Sequence, residues 1–272
     1  MTHWPRLLCA FSLAASSLVP VQLMAAEIDA RPPDKLTLTA NGAKLVDVDE
    51  GGGGSLSWLH YFTPDTVFGL GAEHQFIADS KWTFGSVRGS MLFGQPGASR
   101  FGVFGELNAG DGDEDGRDFN YGVAVLGVSQ SFGTHLSAQL ESRQIEVDTS
   151  HGNLPKLTLS YLWSPRLSTT LSYANSVGGN IGTELTTGRI DVYAPYVNFF
   201  IGGATGSADP VVLNLQPGVT LPVSNIKEGF FGIGKTFKSG ELQLVGDYLE
   251  SGESEKVTVT LAFTAYLGSR GR

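Results

Sequence analysis

The sequence predicts an all-β fold, a transmembrane antiparallel up-and-down β-barrel of about 14 strands. Three observations carry this. First, apolar and small polar residues alternate with a period of two, which puts successive side chains on opposite faces of a sheet. The stretch 156–173, KLTLSYLWSPRLSTTLSY, shows the pattern twice. Leu157, Leu159, Tyr161 and Trp163 alternate with Thr158 and Ser160, and after Ser164-Pro165-Arg166 the order resumes at Leu167, Thr169, Leu171 and Tyr173. Pro165 has no N–H to give a ladder, so the chain is expected to turn back there. Second, charged residues are only 17% of the chain and glycines number 36, so part of the outside is expected not to face water. Third, short turns alternate with longer or more polar loops, and an even number of strands so connected is the arrangement of outer-membrane barrels. Closure also removes the unpaired edges of a large open sheet.

Residues 1–26 read as a secretory signal peptide: Arg6 near the start, an apolar run from Leu7 to Leu18, and small residues at Ala25-Ala26. The single cysteine, Cys9, lies inside that segment. The mature chain is therefore expected to carry no disulfide. Residues 27–34 form a periplasmic lead and 35–272 the barrel. After Ala26 no segment has the ~18 continuous apolar residues of a membrane helix, which leaves strands as the way across. The net charge of −9 excludes nucleic acid as a partner, since phosphate neutralisation needs clustered Lys and Arg.

Along the chain, Lys35–Val46 is the first expected strand, followed by a loop over 47–54 with four consecutive glycines. Ser55–Phe62 and Val67–Phe76 flank the turn at Thr63-Pro64-Asp65. Trp82–Phe93 ends at Gln95-Pro96-Gly97. Phe101–Leu107 leads to a polar loop, 110–118, and Phe119–Gln130 returns to a turn at Ser131-Phe132-Gly133. Leu136–Val147 is followed by a loop, 148–155, and then by the hairpin above. A loop over 175–182 precedes Thr183–Tyr193, the turn at Ala194-Pro195-Tyr196, and the strand carrying Val197, Phe199 and Ile201. The segment 207–224 holds Pro210, Pro217 and Pro222 and reads as a long loop. Lys227–Phe237, Glu241–Leu249, a polar loop over 250–255 and Lys256–Leu267 complete the set.

A β-propeller would show a blade signature at a fixed period of ~40 to 50 residues, and none is present. A sandwich would be wet on the outside of both sheets. Here the apolar faces carry aromatics near strand ends (Trp58, Phe62, Trp82, Tyr161, Trp163, Tyr173, Tyr193, Tyr248, Tyr266), as an interfacial girdle would. The signal segment, the cysteine-free mature chain and the alternating Gly- and aromatic-rich strands together resemble a Gram-negative outer-membrane β-barrel protein. The segments YFTPDTVFGLG and YLWSPRLSTTLSYA resemble YaiO-like barrels associated with surface polysaccharide systems. The resemblance implies residence in the cell outer membrane, contact with its lipid and lipopolysaccharide, and dependence on the outer-membrane assembly machinery. Such barrels end on an aromatic residue, whereas this chain continues past Tyr266 with LGSRGR. Either Phe263 and Tyr266 serve as an internal signal or the tail is unusual.

Eight charged residues fall in mid-strand: Glu73, Glu106, Glu141, Arg143, Arg189, Asp191, Glu228 and Asp247. Facing lipid, a basic residue at the midplane costs about 2–4 kcal/mol. These residues are therefore expected to point inward, either lining a channel or filling the barrel with a closed polar network.

The spacing Asp111-Gly-Asp113-Glu-Asp115-Gly is the first half of a calcium loop. The Glu expected at its twelfth place is missing, because Gly122 stands there. A solvated acidic surface loop is the simpler reading, with Ca2+ as the only candidate cofactor and lipopolysaccharide-bridging divalent ions as its natural ligand. The histidines (His3, His60, His74, His135, His151) show no metal-binding pairing. A hydrolase would need a group such as His60, His74 and Glu73, but no G-x-S-x-G elbow occurs. The expected function is a non-enzymatic passage for small hydrophilic molecules, or support of surface-polysaccharide export. A structural or adhesive barrel acting through its loops is the alternative, and an outer-membrane lipid hydrolase the remoter one.

Overall fold

The computed structural model describes residues 32–45, 50–77, 80–95, 98–114, 116–208, 224–252 and 254–268. The signal segment, most of the lead and the tail after Gly268 lie outside them. The strands are β1 (Asp34–Leu45), β2 (Glu50–Thr63), β3 (Thr66–Ile77), β4 (Ser80–Phe93), β5 (Phe101–Glu114), β6 (Arg117–Phe132), β7 (Leu136–Val147), β8 (Ser150–Ser164), β9 (Leu167–Asn175), β10 (Val177–Gly179), β11 (Thr183–Tyr193), β12 (Val197–Ala208), β13 (Ser224–Phe237), β14 (Gly240–Ser251) and β15 (Ser254–Leu267). Each long strand pairs antiparallel with its neighbours in sequence, and β1 pairs with β15 from Asp34↔Leu267 to Leu45↔Lys256. The sheet thereby closes into a barrel of 14 strands, with the three-residue β10 laid beside the start of β8 at Gly152 and Asn153.

We call the end where β1 begins and β15 finishes the base, and the opposite end the crown. Six links lie at the base, including the turns holding Pro64, Pro165 and Pro195. The longest of these is 94–100, where Arg100 forms an ion pair with Asp65 and exchanges hydrogen bonds with Ser131.

The crown differs from the sequence expectation. Residues 50–54, read as loop, form the start of β2, glycines included. The polar segment 110–118 is a continuous hairpin of β5 and β6, turned at 115–116. The loop expected over 148–155 shrinks to 148–149, with Pro155 inside β8, and that over 250–255 shrinks to 252–253. Asp148, Gly116 and Gly252 adopt positive φ (50°, 78° and 61°), as tight hairpin turns require. Polarity misled here because a strand that rises past the membrane needs polar residues on its outer face. Of the loop expected over 175–182, Asn175 ends β9 and 176–182 is a true loop that contains β10. Of 207–224, Ser207 and Ala208 end β12, Ser224 begins β13, and the rest lies outside the described residues.

Burial alternates along the long strands. On the outer face, Leu107, Leu126, Trp163 and Ile201 are each more than 60% exposed. Within a soluble protein these would be defects; around a barrel they form the lipid-facing band. On β5 the band runs from Phe101 to Ala109 before Asp111 and Asp113, and on β15 from Val257 to Leu267. At ~3.4 Å per residue and a ~40° tilt these heights are about 21 and 26 Å, against a band of ~25 Å in transmembrane barrels. Trp58, Phe62, Phe93, Phe101, Phe132, Tyr161, Trp163, Phe199 and Phe237 ring the base end of this band. Trp163 donates from Nε1 to Thr169 at 3.0 Å, and Phe93 stacks on Phe101. Of the nine aromatics expected on the lipid face, Trp82, Tyr193 and Tyr266 turn inward instead, each being in phase with inward neighbours of its strand.

Candidate functional site

The inner wall of this barrel is shielded from lipid along its whole height, and it falls into three tiers. The crown tier is mostly apolar, with Gln75, Ser80, Thr183 and Ser251 as buried polar side chains within it. Ile145 and Val147 of β7 face inward beside Val123 and Tyr121 of β6. Leu154 of β8 stands opposite Arg143, and Trp82, Phe119, Leu185, Ile226 and Leu249 are likewise buried. Leu185, Ala204, Ala208, Ile226 and Leu249 make one packed cluster. The 176–182 loop also turns inward. Asn180 accepts a hydrogen bond from the His151 amide at 2.7 Å and donates its own amide to the His151 carbonyl at 2.9 Å. Ile181 is thereby seated over Gly152, 4% exposed. Together these side chains form a collar beneath the crown.

Below the collar lies a tier of charge. All eight mid-strand charged residues named from the sequence are on the inner face. Glu141 is nearly buried and accepts from Gln139 at 2.9 Å and from Arg143 at 3.5 Å, with Lys156 Nζ at 3.8 Å. Arg189 grips Asp191 through Nε at 2.9 Å and Nη2 at 2.5 Å, and its guanidinium lies 4.0 Å over the Phe200 ring. Glu73 takes a hydrogen bond from Gln75 at 2.8 Å, and Glu106 from Asn108 at 2.9 Å. Apart from the cross-strand contacts of Lys156 and Phe200, these are i, i+2 contacts, the spacing at which one strand presents neighbours on one face. Glu228 pairs across with Leu249, one step along from the Phe230↔Asp247 pair, and Lys256 faces Leu249 from the other side. Both Asp247 carboxylate oxygens are buried, with the Glu228 carboxyl beside them.

The base tier is made of small polar residues. Thr37, Thr39, Ser55, Ser57, Gly69, Gly71, Ser86 and Ser90 line β1 to β4 on the inside. Thr37 bonds Thr264 at 2.9 Å and Thr39 bonds Ser55 at 2.6 Å. Four inner phenylalanines avoid filling the bore. Phe104, Phe119, Phe200 and Phe230 are directly paired with Gly127, Gly112, Gly232 and Gly202, and each ring lies where that glycine's Cβ would be. The rings are thus flattened against the wall.

The calcium-loop residues are placed differently from a loop. Asp111 and Asp113 are on the outer face of β5, opposite Asn120 and Asp118 of β6, and Asp113 accepts from the Gly116 amide at 3.3 Å. Asp115 lies outside the described residues. Among the described residues no group of three or more His, Cys, Asp or Glu side chains is arranged to hold a metal. His60, His74 and Glu73 are separated by the wall: Glu73 faces in, while His60 and His74 face out, bonded to Asp34 and Thr83 at 2.8 Å. Residues missed from the sequence are Arg88, Lys156, Lys256 and the collar. A signal for the collar exists, since in β7 the apolar phase switches from Leu136, Ala138 and Leu140 outside to Ile145 and Val147 inside.

No protein-family model matches the chain, and no curated protein sequence does. Solved structures do. The monoaromatic hydrocarbon channel CymD superposes with a TM-score of 0.63 at 11% identity, covering 97% of this chain and 96% of its own. The Pseudomonas putida toluene transporter TodX gives 0.55 at 11% identity, and a Pseudomonas aeruginosa FadL homologue 0.57 at 9%, each with 94% of both chains covered. The fold is that of outer-membrane β-barrels. This supports the barrel class of the resemblance seen in the sequence and not its YaiO-like subfamily.

Proposed function

We propose that the protein is an outer-membrane channel admitting small molecules with an apolar body, with its crown facing the exterior and its base the periplasm. The observation that carries this is the collar. A passage for sugars or ions would be wet throughout, whereas here the outermost tier inside the wall is tightly packed and mostly apolar, a surface that dewets to ions. It is compatible with a solute that sheds its water on entry. The polar base tier suits release into the periplasm. The names of the similar proteins, a monoaromatic hydrocarbon channel and a toluene transporter, point to solutes of this kind. The hydrophilic solutes expected from the sequence fit the base tier alone.

The test is initial uptake of radiolabelled toluene and of a disaccharide by Gram-negative cells with an intact outer membrane, with and without the protein. Faster toluene entry at unchanged disaccharide entry is expected. Equal toluene uptake in both strains would sink the reading.

A further inference from the structure

We propose that the inner wall of β2–β4 holds a binding site for the carboxylate of an apolar-bodied solute, centred on Arg88. The proposal rests on the channel reading and names the solute more narrowly. Arg88 is on the inner face, in register with Gly69 of β3 on one side and Glu106 of β5 on the other. It is exposed to the bore. A Cβ on Gly69 would stand 2.9 Å from Arg88 Nε and 2.7 Å from Leu59 Cδ2, so the side chain leans over the glycine, away from Glu106. One step toward the crown the same arrangement recurs. Ser57, Gly71 and Ser86 are directly paired, and a Cβ on Gly71 would meet Ser86 Oγ at 2.5 Å. Two successive inner glycines therefore let side chains lie flat on the wall, Arg88 and Leu59 over Gly69 and Ser86 over Gly71, with Ser57 at the border.

What separates Arg88 from Arg143, Lys156 and Arg189 is its freedom. Arg143 and Lys156 share Glu141, and Arg189 holds Asp191. Arg88 takes part in no ion pair or hydrogen bond among the described residues, and Glu106 opposite it is occupied by the Asn108 amide. A guanidinium presents a planar fork that matches a carboxylate in two parallel hydrogen bonds. Ser57 and Ser86 add hydroxyl donors at its edge, and Leu59 offers an apolar flank. Toward the crown on the same face of β4 stand Phe84 and Trp82. An aromatic carboxylate could lie along β4 with its ring toward Phe84 and its acid group on Arg88.

The experiment measures equilibrium binding of benzoate and of benzyl alcohol, its neutral counterpart, to the purified full-length protein in detergent by saturation-transfer NMR at neutral pH. The native protein is expected to bind benzoate at least tenfold more tightly than benzyl alcohol. Arg88→Gln should erase that ratio, and Arg88→Lys should keep part of it. Ser57→Ala with Ser86→Ala should narrow it a few-fold, and Glu106→Gln should raise benzoate affinity by removing a like charge. Heat-modifiable migration on gels reports whether each variant is folded, and the serine and Glu106 variants test the site even if an Arg88 variant misfolds. No preference for benzoate in the native protein, or an unchanged preference in folded Arg88→Gln, overturns the site. Binding is read without transport, so failure of the uptake experiment and failure of this one are distinguishable.

Discussion

The crown and the base of this barrel are built by opposite rules. At the base, apolar side chains face out to lipid and the inside is wet: Thr37, Thr39, Ser55 and Ser57 look inward while Leu36, Leu38, Leu56 and Trp58 look outward. At the crown the phase inverts. Ile226 is buried inside while Asn225 and Lys227 are exposed outside, and Ile145 and Val147 are buried while Gln144 and Glu146 are exposed. The base follows the logic of a membrane barrel and the crown that of a soluble one with a dry core. The difference teaches that a period of two says only that a strand has two faces. Which face is apolar depends on the solvent at that height.

Substitutions that treat the halves alike should therefore give unlike results. The largest effect is expected from Leu249→Ala, which empties part of the packed collar cluster. Loss of a buried leucine costs about 2–5 kcal/mol, so the urea midpoint of the folded protein in detergent should fall clearly, while ionic conductance in planar bilayers rises. An unchanged conductance would mean that the collar is not the barrier. Next, Gly232→Val should displace the Phe200 ring into the bore and slow solute passage several-fold, and adding Phe200→Ala should restore it; failure of the second change to rescue would refute the flattened-ring account. Smaller still, Ser55→Ala at the wet base should shift stability by no more than ~0.5 kcal/mol, as read from the same urea titration. The smallest effect belongs to Lys227→Ala on the outer crown. Its 3.0 Å pair with Glu250 is solvent-exposed, and such pairs contribute little, so no change in thermal midpoint is expected at physiological salt.

Much of the fold was legible in the sequence. The hairpin around Pro165 is β8 and β9 as expected, with Leu157, Leu159, Tyr161 and Trp163 outside and Ser168, Thr170 and Ser172 inside. Fourteen strands could be counted because the alternation is strong wherever lipid lies on one side. The inward direction of Glu73 or Asp247 followed from the expense of a charge in lipid. The crown was less legible. GDGDEDGRD and EGGGG look like loops by composition, yet they are strand, because above the membrane both water and a hydrogen-bonded neighbour are present. Trp82, Tyr193 and Tyr266 were assigned to the lipid face by residue type, whereas their phase with Phe84, Asp191 and Thr264 puts them inside. Arg88 gave no signal of its own. Its freedom depends on Gly69 and Gly71 two strands' length away in sequence, a juxtaposition only the register supplies.

The phase inversion also fixes a waterline. Around the barrel the outward side chain changes from apolar or small to charged within one or two positions: Ala109 to Asp111, Gly229 to Lys227, Tyr248 to Glu250, Val257 to Glu255. Sinking by one pair of residues would drag several of these charges into hydrocarbon at once, and rising would strip lipid from the ring of Trp58, Trp163 and Phe237. The immersion depth of the barrel is thereby set from both edges, which holds the collar clear of the bilayer and keeps the Arg88 shelf within its span.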